Sequence, residues 1–138
     1  MKVYITRAIP EEGPRMLRAA GHDVIVSGKD GVLTREELIS ALKENNPDAV
    51  LCLLTDKIDA EVFDAAPNAK IFANYAVGYN NINIDDAKTR SVTVTNTPGV
   101  LTDTVAEHTV ALMLAATSRI AEGDRLTRTG RYDGWAPM

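Results

Sequence analysis

The amino-acid sequence predicts an α/β protein built on a parallel sheet, and three observations carry that prediction. Short apolar or β-branched runs alternate with amphipathic stretches along the first hundred residues. The third such run, Ala49-Val50-Leu51-Cys52-Leu53, is apolar throughout, as a central strand covered on both faces must be. Between the second and third runs, Thr34-Arg35-Glu36-Glu37 has the spacing of a capping box that opens a helix.

Taken in order, Lys2–Thr6 reads as the first strand and Glu11–Ala20 as a helix with Met16, Leu17 and Ala20 on its apolar face. Gly21 stands where a helix-ending glycine belongs. Asp23–Val26 is the second strand, and the helix carrying Leu38, Ile39 and Leu42 follows the capping box. After Pro47 comes the third strand, then a short helix at Ala60–Ala65 and a fourth strand at Ile71–Ala73. Ile84–Arg90 reads as another short helix and Val92–Thr95 as the fifth strand. Right-handed crossovers then favour a flavodoxin-like strand order of 2-1-3-4-5, with helices on both faces. From about Asp103 to Gly123 the pattern predicts one long C-terminal helix of ~20 residues. Its segment Val110-Ala111-Leu112-Met113-Leu114-Ala115-Ala116 is apolar all round and needs cover on nearly every side, which predicts a homodimer or higher homo-oligomer.

Bulk properties narrow the function classes. The 138 residues carry a net charge of −4, which gives no electrostatic reason to expect nucleic acid or an anionic membrane as partner. The apolar stretch Val110–Ala116 is far shorter than the ~20 residues that span a bilayer. Cys52 is the single cysteine, so no disulfide closes within the chain, and its apolar run predicts a buried thiol in a reducing, cytoplasmic setting. In a sheet of this order ligands sit beyond the C-terminal strand ends. The loops of interest are therefore Arg7–Pro10, Leu54–Lys57, Asn74–Asn83 and Thr97–Thr102.

The loop Asn74-Tyr75-Ala76-Val77-Gly78-Tyr79-Asn80-Asn81-Ile82-Asn83 has two readings. Its glycine lets backbone approach a ligand, and consecutive exposed amides bind anions. A turn that uses Gly and Asn for their backbone freedom explains the same residues. The loop resembles the V-G-x-D/N-N-I-D loop of the D-2-hydroxyacid dehydrogenases. That resemblance implies that the Val77 and Gly78 amides hold a substrate carboxylate. Asn83 stands where the family more often has Asp, outside the ligand contact.

Two further segments resemble the family in the same order. Leu53-Leu54-Thr55-Asp56-Lys57-Ile58-Asp59 is similar to its short loop over the substrate, which implies that Leu54 packs against the reacting end of a small 2-oxo acid. Asn96–Thr109 is similar to the hinge between substrate and cofactor domains, which implies that Thr104 lies on the nicotinamide side of the cleft. The ending Gly134-Trp135-Ala136-Pro137 looks most like glyoxylate/hydroxypyruvate reductases. There the tryptophan crosses a dimer interface into the neighbouring active site, a role implied for Trp135, although a Trp packed on its own domain fits equally well. On this resemblance, 1–101 corresponds to the substrate domain and 102–138 to hinge, long helix and tail.

Other candidates carry less. Asp56, Lys57 and Asp59 read as a solvated turn capping the next helix. Thr104-Val105-Ala106-Glu107 reads as a second capping box. Asp103, Glu107 and His108 on one helix turn suggest a metal, but nothing else in the sequence supplies further ligands, so no metal is expected. The family's catalytic His, Glu and Arg fall beyond the matched portion, and neither His22 nor His108 takes that role, so no catalytic residue is assigned. No glycine pair has G-x-G spacing, so the dinucleotide fingerprint is missing from residues 1–138.

The resemblance therefore implies the substrate-binding part of an enzyme that reduces glyoxylate, hydroxypyruvate and similar acids with NAD or NADP. The chain by itself is expected to bind no dinucleotide tightly and to be inactive. The rival is a stand-alone flavodoxin-like binding or self-association module. A phosphoacceptor receiver needs acidic residues after the first strand, where this chain has Arg7-Ala8-Ile9-Pro10.

Overall fold

Five strands, β1 (Lys2–Ile5), β2 (Asp23–Val26), β3 (Ala49–Leu53), β4 (Ile71–Tyr75) and β5 (Thr93–Thr95), form one sheet in the order β2-β1-β3-β4-β5. All four pairings are parallel, with Val3 opposite Val24 and Ala49, and Leu53 opposite Tyr75. The expected fold class and strand order hold in this computed structural model, which describes residues 1–135. The sheet and four helices make one compact unit, Met1–Gly99; a second unit runs Val100–Met138.

The alternating pleat sorts the sheet side chains into two cores. Tyr4, Val50, Cys52 and Phe72 face one side, covered by α2 (Arg35–Asn45), α3 (Ala60–Ala65) and α4 (Ile84–Thr89) through Leu38, Leu42, Val62, Phe63 and Ala87. Phe72 is fully buried and meets Phe63 edge-to-face, with ring centroids 4.9 Å apart. Val3, Ile5 and Ala49 face the other side, against Leu17 of α1 (Glu12–Ala19).

Local signals act where expected. The Thr34 hydroxyl accepts from the Glu37 amide at 3.3 Å, and the Glu37 carboxylate accepts from the Thr34 amide at 2.7 Å, closing the capping box of α2. Gly21 ends α1 at φ +82°, a conformation that suits a residue without Cβ.

The second unit departs from its predicted shape. In place of one helix from Asp103 to Gly123 there are two, α5 (Thr102–Thr117) and α6 (Ile120–Arg128). The Thr117 hydroxyl donates to the carbonyls of Met113 and Leu114 at 3.0 and 3.1 Å, competing with the helical ladder at its end. Arg119 then turns left-handed at φ +54°, its guanidinium bound to Glu122 at 2.6 and 2.7 Å. The capping box at Thr104 does not form. Leu101 occupies the N-cap in a helical conformation and α5 starts at Thr102, so Thr104 already sits inside the first turn. A capping box needs its Ser or Thr in the extended flanking position. Val105, Val110, Leu112, Met113 and Leu114 on α5 are all exposed. Among the described residues no helix is long and apolar enough to cross a membrane.

Candidate carboxylate-binding site

The turn after β3 is anchored from inside. Asp56, expected in solvent, is 5 % exposed. Its Oδ2 accepts from the Thr6 hydroxyl at 2.6 Å and from the Leu53 amide at 2.8 Å. Burying a carboxylate requires such partners, and the end of β1 supplies one of them. Asp59 likewise does not cap α3 with its side chain. The Arg35 guanidinium draws it away at 2.8 Å, holding its carboxyl below the usual range, while Asp86 accepts from the Ala60 amide at 3.0 Å. Lys57 is exposed. With its base fixed, this turn presents Leu54, 61 % exposed, at the C-terminal end of the sheet.

Asn81 ties that turn to the loop after β4. Its Nδ2 lies 3.2 Å from the Leu53 carbonyl and 3.0 Å from the Asp56 carbonyl, while its Oδ1 accepts from Asn74 Nδ2 at 3.0 Å. Asn74, 2 % exposed near the end of β4, also donates to the Gly78 carbonyl at 2.9 Å. The backbone pairs as well: the Ile58 amide donates to the Asn81 carbonyl and the Asn83 amide to the Ile58 carbonyl, each at 2.8 Å. Asn83 itself caps α4, its Oδ1 accepting from the Asp85 and Asp86 amides at 3.1 Å.

From the other side, the segment after β5 takes the loop's remaining carbonyls. The Thr97 amide donates to the Ala76 carbonyl at 2.9 Å, and Asn96 Nδ2 donates to the Val77 carbonyl at 2.8 Å. The carbonyls of residues 76, 77 and 78 are thus all engaged. The Val77 and Gly78 N–H groups have no acceptor among the described residues. Two adjacent, uncommitted amides at an exposed loop are the kind of donors that can receive an anion. The φ of Gly78 is not left-handed, and a Cβ there would lie 3.2 Å from Oδ1 of the exposed Asn80, a contact that a small shift of that side chain relieves.

Leu54 and the Val77–Gly78 pair thus stand on two loops of one unit that are tied together through Asn81 and Asn74. Thr104, in the first turn of α5, and Trp135, 83 % exposed beyond α6, belong to the second unit. Ala136 and Pro137 of the terminal motif lie outside the described residues. The sequence reading gave no role to Asn74, Asn81, Asn96 or Thr6, and it took the buried Asp56 for a solvated turn residue. One signal was available: an amide in the apolar run Ile71-Phe72-Ala73-Asn74 must find partners once the strand is buried.

Cys52 lies beneath this network. Its Sγ contacts the Ala73 carbonyl at 3.7 Å and Asn74 Oδ1 at 3.6 Å. Burial, reinforced by the Asp56 charge, pushes the thiol up to about 12. Such a thiol is packing, not a nucleophile. Among the described residues no three His, Cys, Asp or Glu side chains gather as a metal site.

A parallel sheet of this order, with two adjacent uncommitted amides past its C-terminal edge, makes a candidate ligand-binding α/β domain. Residues 3–131 match the family described as D-isomer specific 2-hydroxyacid dehydrogenase, catalytic domain, and the chain belongs to that family. A glyoxylate reductase from Thermofilum pendens is 53 % identical over 137 residues, which cover 99 % of this chain and 40 % of that protein. Among solved structures, a protein from Thermus thermophilus superposes with a TM-score of 0.91 at 36 % identity, over 99 % of this chain and 43 % of the other. An NAD⁺-bound 3-phosphoglycerate dehydrogenase from Entamoeba histolytica gives 0.69 at 30 % identity, over 83 % and 38 %. The chain thus spans about two-fifths of the length of these relatives.

Proposed function

We propose that residues 1–138 are the acid-binding part of an NAD(P)-dependent oxidoreductase that reduces small 2-oxo acids such as glyoxylate and hydroxypyruvate to D-2-hydroxy acids. The carrying observation is the pair of uncommitted amides at Val77 and Gly78, next to an exposed Leu54 on a rigid turn. Two N–H donors suit the two oxygens or the one lone-pair-rich edge of a carboxylate, and charge-assisted bonds of this kind contribute roughly 1.5–3 kcal/mol each. Leu54 then offers an apolar wall to the carbon next to the carboxylate, which favours short acids. The 53 % identity to a glyoxylate reductase supports the same substrate size.

These residues fit the acid and not the dinucleotide. No glycine pair among them has the G-x-G spacing that lets backbone approach a pyrophosphate. On this proposal the cofactor binds elsewhere in the whole protein, with Thr104 on its nicotinamide side and Trp135 reaching the site of a neighbouring copy. Orienting an acid without a hydride donor produces no turnover, so residues 1–138 alone bind and do not reduce. Exposed apolar side chains all round α5 favour a second property, self-association of the chain through that helix.

Isothermal titration calorimetry of residues 1–138 with oxalate, glyoxylate and acetate tests the proposal. Binding of the two-carbon diacid and oxo acid in preference to acetate is expected. Equal heats for all three, or none, would refute it.

A further inference from the structure

Resting on the reading that Val77 and Gly78 take the carboxylate, we propose that Asn96 is a positioning residue for that carboxylate. A trans peptide unit holds its C=O and N–H on opposite sides, and the chain contains no cis peptide among the described residues. The Val77 carbonyl shares its peptide unit with the Gly78 N–H. Asn96 Nδ2 holds that carbonyl at 2.8 Å, so it aims the Gly78 N–H in the opposite direction, away from the segment after β5. One unit earlier, the Thr97 amide holds the Ala76 carbonyl at 2.9 Å and aims the Val77 N–H likewise. Both donors of the cradle therefore point away from residues 96–97, and the two carbonyl dipoles face those residues.

Of the two clamps only the one from Asn96 is a side chain, and so only there does residue type decide the outcome. Without its donor, the Val77–Gly78 peptide is free to rotate and can turn a carbonyl oxygen toward the acid. A carbonyl facing a carboxylate is repulsive, so the identity of residue 96 sets which end of that peptide dipole the substrate meets. Asn96 is half-buried and its bond to Val77 lies at the surface, so removing its side chain leaves no core cavity. Asn83 offers the matching control. It lies in the same loop and caps α4 through the Asp85 and Asp86 amides, touching neither cradle peptide.

The test is an oxalate titration of ¹⁵N-labelled residues 1–138 as wild type, Asn96→Ala and Asn83→Ala, with thermal midpoints recorded in parallel. Loss of one positioning hydrogen bond weakens oxalate binding roughly five- to tenfold in Asn96→Ala. Before any oxalate is added, the Gly78 ¹⁵N resonance moves in that variant, because its peptide carbonyl has lost a partner, while the thermal midpoint stays near that of wild type. Asn83→Ala shows the reverse, a lowered midpoint with oxalate affinity within twofold of wild type. If wild type binds and Asn96→Ala binds equally well, the positioning role is wrong and the carboxylate site stands. If wild type itself fails to bind, both fall together.

Discussion

The Thr6 hydroxyl donates to Asp56 Oδ2 across 2.6 Å, a bond that ties the end of β1 to the turn after β3. Both residues are buried, and the Leu53 amide shares the same carboxylate oxygen at 2.8 Å. The exposed Leu54 thus stands on a turn whose base is closed by a buried charge. Asp56→Ala leaves the Thr6 hydroxyl and the Leu53 amide without their acceptor. An unfolding free energy lower by about 2–4 kcal/mol is expected in urea titrations. A change below ~0.5 kcal/mol would mean that the turn holds without it.

Leu54 predicts the opposite division between stability and binding. At 61 % exposure it contributes little to the core, so Leu54→Ala shifts stability by no more than ~0.5 kcal/mol. Binding of glyoxylate to residues 1–138 weakens, because the apolar wall beside the acid is lost. Calorimetry and denaturation on the same sample separate the two effects.

The sheet was legible because its signals are local. The apolar run at Ala49–Leu53, the capping box at Thr34 and the glycine at Gly21 each act within a few residues, and each appears where expected. The site's supports were not legible, since Thr6 and Asp56 are fifty positions apart and Asn96 reaches back nineteen to Val77. No spacing rule links them; strand order does, by placing the ends of β1, β3, β4 and β5 side by side. The break at Arg119 escaped for a different reason. Hydrophobic periodicity continues past Thr117, and Arg119, whose left-handed φ of +54° makes the break, is a residue type that carries no turn signal.

Cys52 sets an alkaline limit. Its thiol is held near 12 in the folded chain, against an ordinary value of 9.0, so the unfolded chain gives up the proton first as pH rises. The contribution is complete below pH 9 and is lost progressively between 9 and 12. Stability therefore declines above pH 9, and Cys52→Ala flattens that decline. At pH 8 the native thiol stays inert to Ellman's reagent and reacts after addition of urea; rapid labelling of the folded chain would contradict its burial.

The face of α5 carries the prediction on assembly. Leu112, Met113 and Leu114 are each more than half exposed, an arrangement that water disfavours. Residues 1–138 are expected to elute as a dimer or larger species in size-exclusion chromatography with light scattering at tens of micromolar. Met113→Glu, or Leu112→Glu together with it, shifts the population toward monomer by placing charge on that face. A wild-type chain that stays monomeric at these concentrations would rule out the helix as a self-association surface.

On the proposed reading, Val77 and Gly78 present two free amides to a carboxylate. A crystal structure of residues 1–138 grown with oxalate tests it most directly. Carboxylate oxygens are expected within about 3 Å of both amide nitrogens, with Leu54 over the carbon framework. Oxalate seated elsewhere, with those two amides bound to water or to protein, would contradict it.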